Sequence, residues 1–219
     1  MTSLSVSPRP ISFRPAQEWD WIRCSDMVLA LAALAILLPL MLMVALAIRL
    51  TSKGPVFFIH KRIGRNGQTF GCCKFRTMAV DADRRLADLL ERDPQARAEW
   101  QSSQKLLKDP RITAVGHFLR RSSIDELPQL YNILNGTMSW VGPRPIVQNE
   151  VHRYGHHFSH YCRVRPGITG LWQVSGRSNV SYRRRVAMDV VYIRRRNVVL
   201  NSVIMARTLP AVLLQRGSC

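Results

Sequence analysis

Asp125 and Glu126 stand side by side behind Arg120 and Arg121, and the stretch runs on to Gly142-Pro143-Arg144-Pro145. Two carboxylates among fixed positive charges suit phosphate chemistry. A carboxylate attacks a phosphoryl group only where charge repulsion is offset, by Mg²⁺ or by arginines nearby. One acid can then attack while its neighbour holds the metal, because Mg²⁺ takes oxygen ligands and is satisfied by one or two carboxylates plus phosphate. A plainer account of an Asp-Glu pair is helix-start chemistry, since first-turn N–H groups and the backbone dipole favour acids there. Arg120, Arg121 and an early Pro128 shift the balance towards function. Arg144, fenced by two prolines, offers a guanidinium in a fixed direction, and Arg177 follows the glycine-flanked run Gly170–Gly176. Both are candidate phosphate contacts, since an arginine fork binds phosphate oxygens bidentately.

Those residues need a scaffold. The helix carrying the pair should begin near Asp125, with Leu127, Leu130, Tyr131 and Leu134 at helical spacing, and stop at Asn135-Gly136. Upstream, 55–63 and 69–77 read as two strands joined by an Asn66-Gly67 type I′ turn. The charged span 81–108 reads as two helices divided at Pro94, and 146–160 as helical. Residues 166–174 read as turn then strand, and 198–214 as an apolar helix lying along a membrane interface. His152 and His156 are at helical spacing, but Gly155 interrupts them and no nearby acid or thiol completes a ligand set.

Ahead of all this lies Met27–Ile48, a run of roughly 22 residues with no charge or hydrogen-bonding side chain, long enough to cross a hydrocarbon core. It lies too deep and runs too long for a cleaved signal peptide. Pro39 should kink it. A spanning helix held by the basic flank after Arg49, and a helix that enters and returns to the same face, both fit; either puts the rest of the chain on the cytoplasmic side.

The 219 residues carry a net charge of +18, and from Leu107 onwards 17 basic residues face only five acidic ones. Such a field attracts nucleic acid, an anionic membrane or a nucleotide-sugar. The five cysteines are odd in number and lack a C-x-x-C spacing, which reads as reduced thiols in a cytosolic setting. No P-loop, dinucleotide-binding fingerprint or serine nucleophile elbow is present. The domains expected are a flexible tail at 1–22, a membrane-anchoring helix at 23–50 kinked at Pro39, and a cytoplasmic-face domain carrying the acidic pair at 51–219.

Several long motifs, in order, resemble the bacterial sugar transferases that act on polyprenyl phosphate, nearest to the undecaprenyl-phosphate galactose-phosphotransferases of exopolysaccharide synthesis. They are Lys74–Met78, Asp109–Thr113, Ser123–Leu130, Met138–Pro145 and Arg165–Arg177. The resemblance implies an α+β fold, with a re-entrant membrane helix, a small mostly helical catalytic domain with a β-hairpin, and interfacial amphipathic helices. It also implies that Asp125 is the nucleophile towards a UDP-sugar, that Glu126 helps hold Mg²⁺ beside Asp125, and that Arg120 and Arg144 bind phosphate or nucleotide. The acceptor would be undecaprenyl phosphate, and the setting the cytoplasmic face of the bacterial inner membrane. Membrane lipids are partners on this view, nucleic acid is not, and a homo-oligomer is compatible with it. Galactose is the first expectation for the sugar and glucose the second. Two positions depart from the family pattern: Leu38 precedes Pro39 where serine is usual, and Thr137 replaces a common acid. The rival reading is a basic membrane-tethered binding or scaffold protein without catalysis.

Overall fold

A computed structural model describes residues 21–103, 106–176 and 180–213. The apolar run forms one helix, α1 (Trp21–Thr51), which continues through Pro39 instead of ending there. By length and composition it can cross a membrane. It is not, however, an isolated anchor. Ala30 packs with Leu130, Ile133 and Met138, while Val44 and Ile48 pack with Phe75 and Leu119. Polar bonds add direction near its start. Asp26, 4% exposed, accepts from Ser139 Oγ (2.6 Å) and from the backbone N–H of Trp140 (3.2 Å). Arg23 donates to the carbonyls of Ile133 and Leu134. The opposite side of α1, including Val28, Ile36, Leu42 and Leu46, is exposed.

The expected hairpin is present as β1 (Phe57–Ile63) and β2 (Thr69–Phe75), antiparallel with Ile63 opposite Thr69. Its turn uses positive φ at both Asn66 (60°) and Gly67 (73°), as a type I′ turn requires. Two charged helices follow, α2 (Ala82–Arg92) and α3 (Pro94–Ser103), and Asp93 caps the second by accepting from the N–H groups of Gln95 (2.8 Å) and Ala96 (3.1 Å).

Helix α4 (Ala114–Ser122) was not anticipated. Thr113 caps it by accepting from Gly116 N–H (2.9 Å), and Val115 and Leu119 turn towards α1. Its end corrects the position of the acidic pair. Asp125 and Glu126 lie in a single 3₁₀ turn, Ile124–Glu126, ahead of α5 (Gln129–Leu134), and not in the first turn of α5 itself. The chain enters that turn through Ser123 at φ 58°, a left-handed conformation that costs a residue with a Cβ on the order of 1 kcal/mol.

Two three-residue strands, β3 (Ser139–Val141) and β4 (Gly167–Thr169), pair in parallel. Their backbones meet so closely that a Cβ on Gly142 or Gly167 would overlap the opposite main chain. The expected strand at 166–174 is therefore shorter, and its second half is a helical turn, α8 (Leu171–Val174). The helical region expected at 146–160 is broken at Gly155 (φ 51°) into short turns, including α6 (Val151–Tyr154) and α7 (Phe158–Tyr161). Finally come α9 (Tyr182–Arg195) and α10 (Val198–Leu213). Helix α9 carries Arg183–Arg185, Arg194 and Arg195 and still buries Val186, Asp189, Val190 and Tyr192.

Candidate active site

Four basic and acidic side chains converge beside the hairpin. Strands β1 and β2 place Arg62 and Lys74 on one side, the 3₁₀ turn supplies Glu126, and the loop after β3 supplies Arg144. Together with Gln129 and Gln173 they line a small, open cleft. Asn132 of α5 fixes the strand against the turn. It is 1% exposed, accepts from Cys73 N–H (2.8 Å) and donates to Gly71 O (2.7 Å), so α5 stands in for a third strand along β2. Lys74 is therefore held opposite the acidic pair, with its ammonium 2.5 Å from Glu126 Oε1 and 3.9 Å from Asp125 Oδ2.

The two acids feel different fields. Burial pushes Glu126 up, but Lys74, Arg144 and Arg62 outweigh it and hold its carboxyl below the ordinary glutamate range. Asp125 is 8% exposed, and burial dominates. Lys74 opposes that, the Glu126 charge reinforces it, and Arg120 opposes it more weakly, leaving Asp125 at about 6. It is ionised at neutral pH, yet more basic than a solvated aspartate, which favours nucleophilic attack.

The arginines differ as well. Arg144 has no hydrogen-bonded or ion-paired partner among the described residues, so its guanidinium is available to an anion. Arg62 donates to Pro145 O (3.0 Å), lies 4.0 Å from Glu150 Oε2, and contacts His60 Nδ1 (3.2 Å). Burial first, then the charges of Arg62 and Lys74, lower the His60 pKa, consistent with a neutral ring. Two guanidiniums and an ammonium around one small cleft make a site for multiply charged oxyanions.

The expected residues are thus only partly assembled. Glu126 and Arg144 share the cleft, and Asp125 adjoins it through Lys74. Arg120 is not among the cleft-lining residues: it lies close enough to Asp125 to act on its charge, and its Nε donates to Thr77 Oγ1 (2.9 Å) near the Asp109–Arg111 ion pair (2.7 Å). Arg177 is outside the described residues. Sequence reading missed Arg62, Gln173 and the role of Lys74. Lys74 stood within a quoted motif, but strand alternation gave no reason to choose it.

Asp125 and Glu126 offer hard oxygen donors, and among the described residues no group of three His, Cys, Asp or Glu side chains could hold a metal. That set fits Mg²⁺ bound chiefly by substrate phosphate and water, and not a metal caged by protein.

Residues 17–215 match the model of the family described as bacterial sugar transferase. The chain belongs to the bacterial sugar transferase family. This sugar transferase is 48% identical over 196 residues to the exopolysaccharide production protein ExoY of Sinorhizobium fredii, covering 90% of this chain and 87% of that protein. It is 46% identical over 198 residues to the undecaprenyl-phosphate galactose phosphotransferase of Salmonella typhimurium, covering 90% of this chain and 40% of the longer relative. To the undecaprenyl-phosphate glucose phosphotransferase of Komagataeibacter xylinus it is 38% identical over 229 residues, covering 99% and 40%. As a member of this family the chain is an enzyme, and the reading as a non-catalytic scaffold is set aside.

Proposed function

We propose that this chain transfers a sugar 1-phosphate, galactose 1-phosphate first and glucose 1-phosphate second, from a UDP-sugar to undecaprenyl phosphate. The reaction would begin the assembly of an exopolysaccharide or another surface glycan. The observation that carries the reading is the buried Asp125 carboxylate, poised at about 6, beside a cleft where Arg62, Lys74 and Arg144 converge.

In the first step a carboxylate oxygen of Asp125 attacks the sugar-bearing phosphorus, the bond to the bridging oxygen breaks, and UMP leaves with the electron pair. In the second step an oxygen of undecaprenyl phosphate attacks the same phosphorus. The aspartyl–phosphorus bond breaks and the Asp125 carboxylate is restored. Arg144 and Arg62 would bind the diphosphate oxygens, while Lys74 would neutralise charge between the two carboxylates and the phosphoryl group. Arg120, outside the cleft lining, would steady the charge of Asp125, and Arg177 remains a candidate for the diphosphate. Mg²⁺, held by Glu126 with Asp125, would withdraw charge from the phosphate oxygens when bound.

Helix α1 supports a location on one membrane face. Its contacts with the domain run from Arg23 to Ile48, about 38 Å at the ordinary helical rise, longer than a hydrocarbon core of about 30 Å. A helix crossing the bilayer upright would drag its charged partners through lipid. Both ends of α1 packed on one domain favour a helix that stays with that domain at one membrane face, which this reading takes as the cytoplasmic face of the inner membrane.

The test is UMP release by the purified protein in detergent or nanodiscs, with Mg²⁺ and a panel of UDP-sugars, with and without undecaprenyl phosphate. Sustained release with lipid, and a single stoichiometric burst without it, are expected. Release that requires lipid from the first turnover would count against the covalent route, and no release with any UDP-sugar would overturn the assignment.

A further inference from the structure

The two cleft arginines come from segments far apart in the chain, and their spacing is set by the backbone junction behind them. Ile63, next to Arg62, donates its N–H to Ile146 O (2.8 Å). The return link runs through a side chain. The hydroxyl of Tyr161 accepts from Ile146 N–H (3.3 Å) and donates to Ile63 O (2.7 Å). Arg62 spans the same junction to reach Pro145 O, the residue after Arg144.

Tyr161 belongs to α7 and is 1% exposed. Phe158 stacks on its ring at 6.1 Å and Tyr154 meets it edge-on at 5.1 Å. Tyr154 is anchored in turn by donating to Asp189 Oδ2 (2.8 Å) on α9. A ring buried for its area alone would be served equally by phenylalanine. Here the hydroxyl is committed to two main-chain groups, each within two residues of a cleft arginine. Burial also raises the phenol above its ordinary range, so it stays a neutral donor.

We propose that Tyr161 is a positioning residue for the Arg62–Arg144 pair, its hydroxyl holding apart at a fixed distance the two segments that carry the guanidiniums. The argument rests on the reading of the cleft as a diphosphate site. Two guanidiniums facing one cleft repel, and a bidentate fork loses much of its hold when its partner is displaced by about 1 Å. Without the hydroxyl, Ile63 O and Ile146 N–H must close on each other or remain unpaired. Either outcome moves the arginines.

The test compares wild type with Tyr161→Phe in nanodiscs, measuring UDP affinity by calorimetry beside thermal unfolding, and repeats the substitution in an Arg144→Ala background. Tyr161→Phe keeps the ring and its packing, so Tm should move by only a few degrees. UDP affinity should fall about tenfold, and that loss should shrink in the Arg144→Ala background. Unchanged UDP affinity in Tyr161→Phe would overturn the proposal, as would an equal fractional loss in both backgrounds, which is the mark of a merely structural role. Wild-type protein that binds no UDP would overturn it together with the diphosphate reading. Wild-type protein that binds UDP but releases no UMP from any UDP-sugar would defeat the transfer reaction and leave this proposal standing.

Discussion

The open and the buried sides of the Ile124–Glu126 turn show how one turn makes two unlike acids from neighbouring residues. On the open side Glu126 faces three cations across a cleft and is driven towards ionisation. On the buried side Asp125 is enclosed, with Lys74 at 3.9 Å and Arg120 tied to Thr77, and burial prevails. A group that must gain and lose a bond to phosphorus benefits from a basic, weakly solvated carboxylate. A group that holds a cation benefits from permanent charge. Environment, not residue type, divides the labour.

Removing the buried charge is the largest perturbation. Asp125→Asn should lower the UMP-release rate by at least about a thousandfold while leaving the protein folded. Near-wild-type turnover in that variant would sink the nucleophile assignment. The same substitution should stabilise the fold at neutral pH. Because burial raises the folded-state pKa of Asp125 from 3.8 to about 6, the ionised form costs stability above that value and the cost vanishes below the unfolded value. The variant should therefore gain about 2–3 kcal/mol at pH 7.5 and nothing near pH 3.5, as read from denaturation at the two pH values. An equal gain at both would mean that the charge of Asp125 is not its source.

The next largest effect belongs to the open side. Arg144→Ala should raise KM for the UDP-sugar by roughly ten- to a hundredfold, with little change in Tm, since no hydrogen bond of the folded chain is lost. Arg120→Met should act differently. With its guanidinium on the Asp125 side and bonded to Thr77, the loss should fall on kcat more than on KM. Identical kinetic signatures for the two variants would erase the distinction between the two sides.

Features with a local, periodic or stereochemical signature were legible in the sequence. The apolar length of α1, the Asn66-Gly67 turn, the division at Pro94 and the Asp125-Glu126 pair all belong to this kind. What escaped depends on partners distant in the chain. Strands of three residues such as β3 and β4 carry no alternation to detect, and they exist because Gly142 and Gly167 let two backbones meet. The buried face of α9 is hidden by Arg183–Arg185, Arg194 and Arg195 on the same helix. Lys74 and Arg62 become cleft residues only through α5 and the loop carrying Arg144, which lie far from them in the chain. Asp26 and Arg23, at the edge of the apolar segment, tie the anchor to β3 and α5 through partners more than 100 residues away.

The smallest expected effect probes the residue the two sides share. Lys74 lies against both carboxylates and lowers the pKa of each. Lys74→Met keeps most of the side-chain length but removes the ammonium, so kcat should fall about tenfold. The more telling reading is the acid limb of the rate profile. In wild type, activity should decline as pH falls through about 6, because protonated Asp125 cannot attack. Without Lys74, its strongest favourable charge, Asp125 becomes harder to ionise and the limb must move to higher pH. A limb that stayed in place while kcat dropped would confine Lys74 to the substrate phosphates. A limb that moved to lower pH would show that burial and the Glu126 charge do not set the acidity of Asp125, and the contrast between the two sides of the turn would fail.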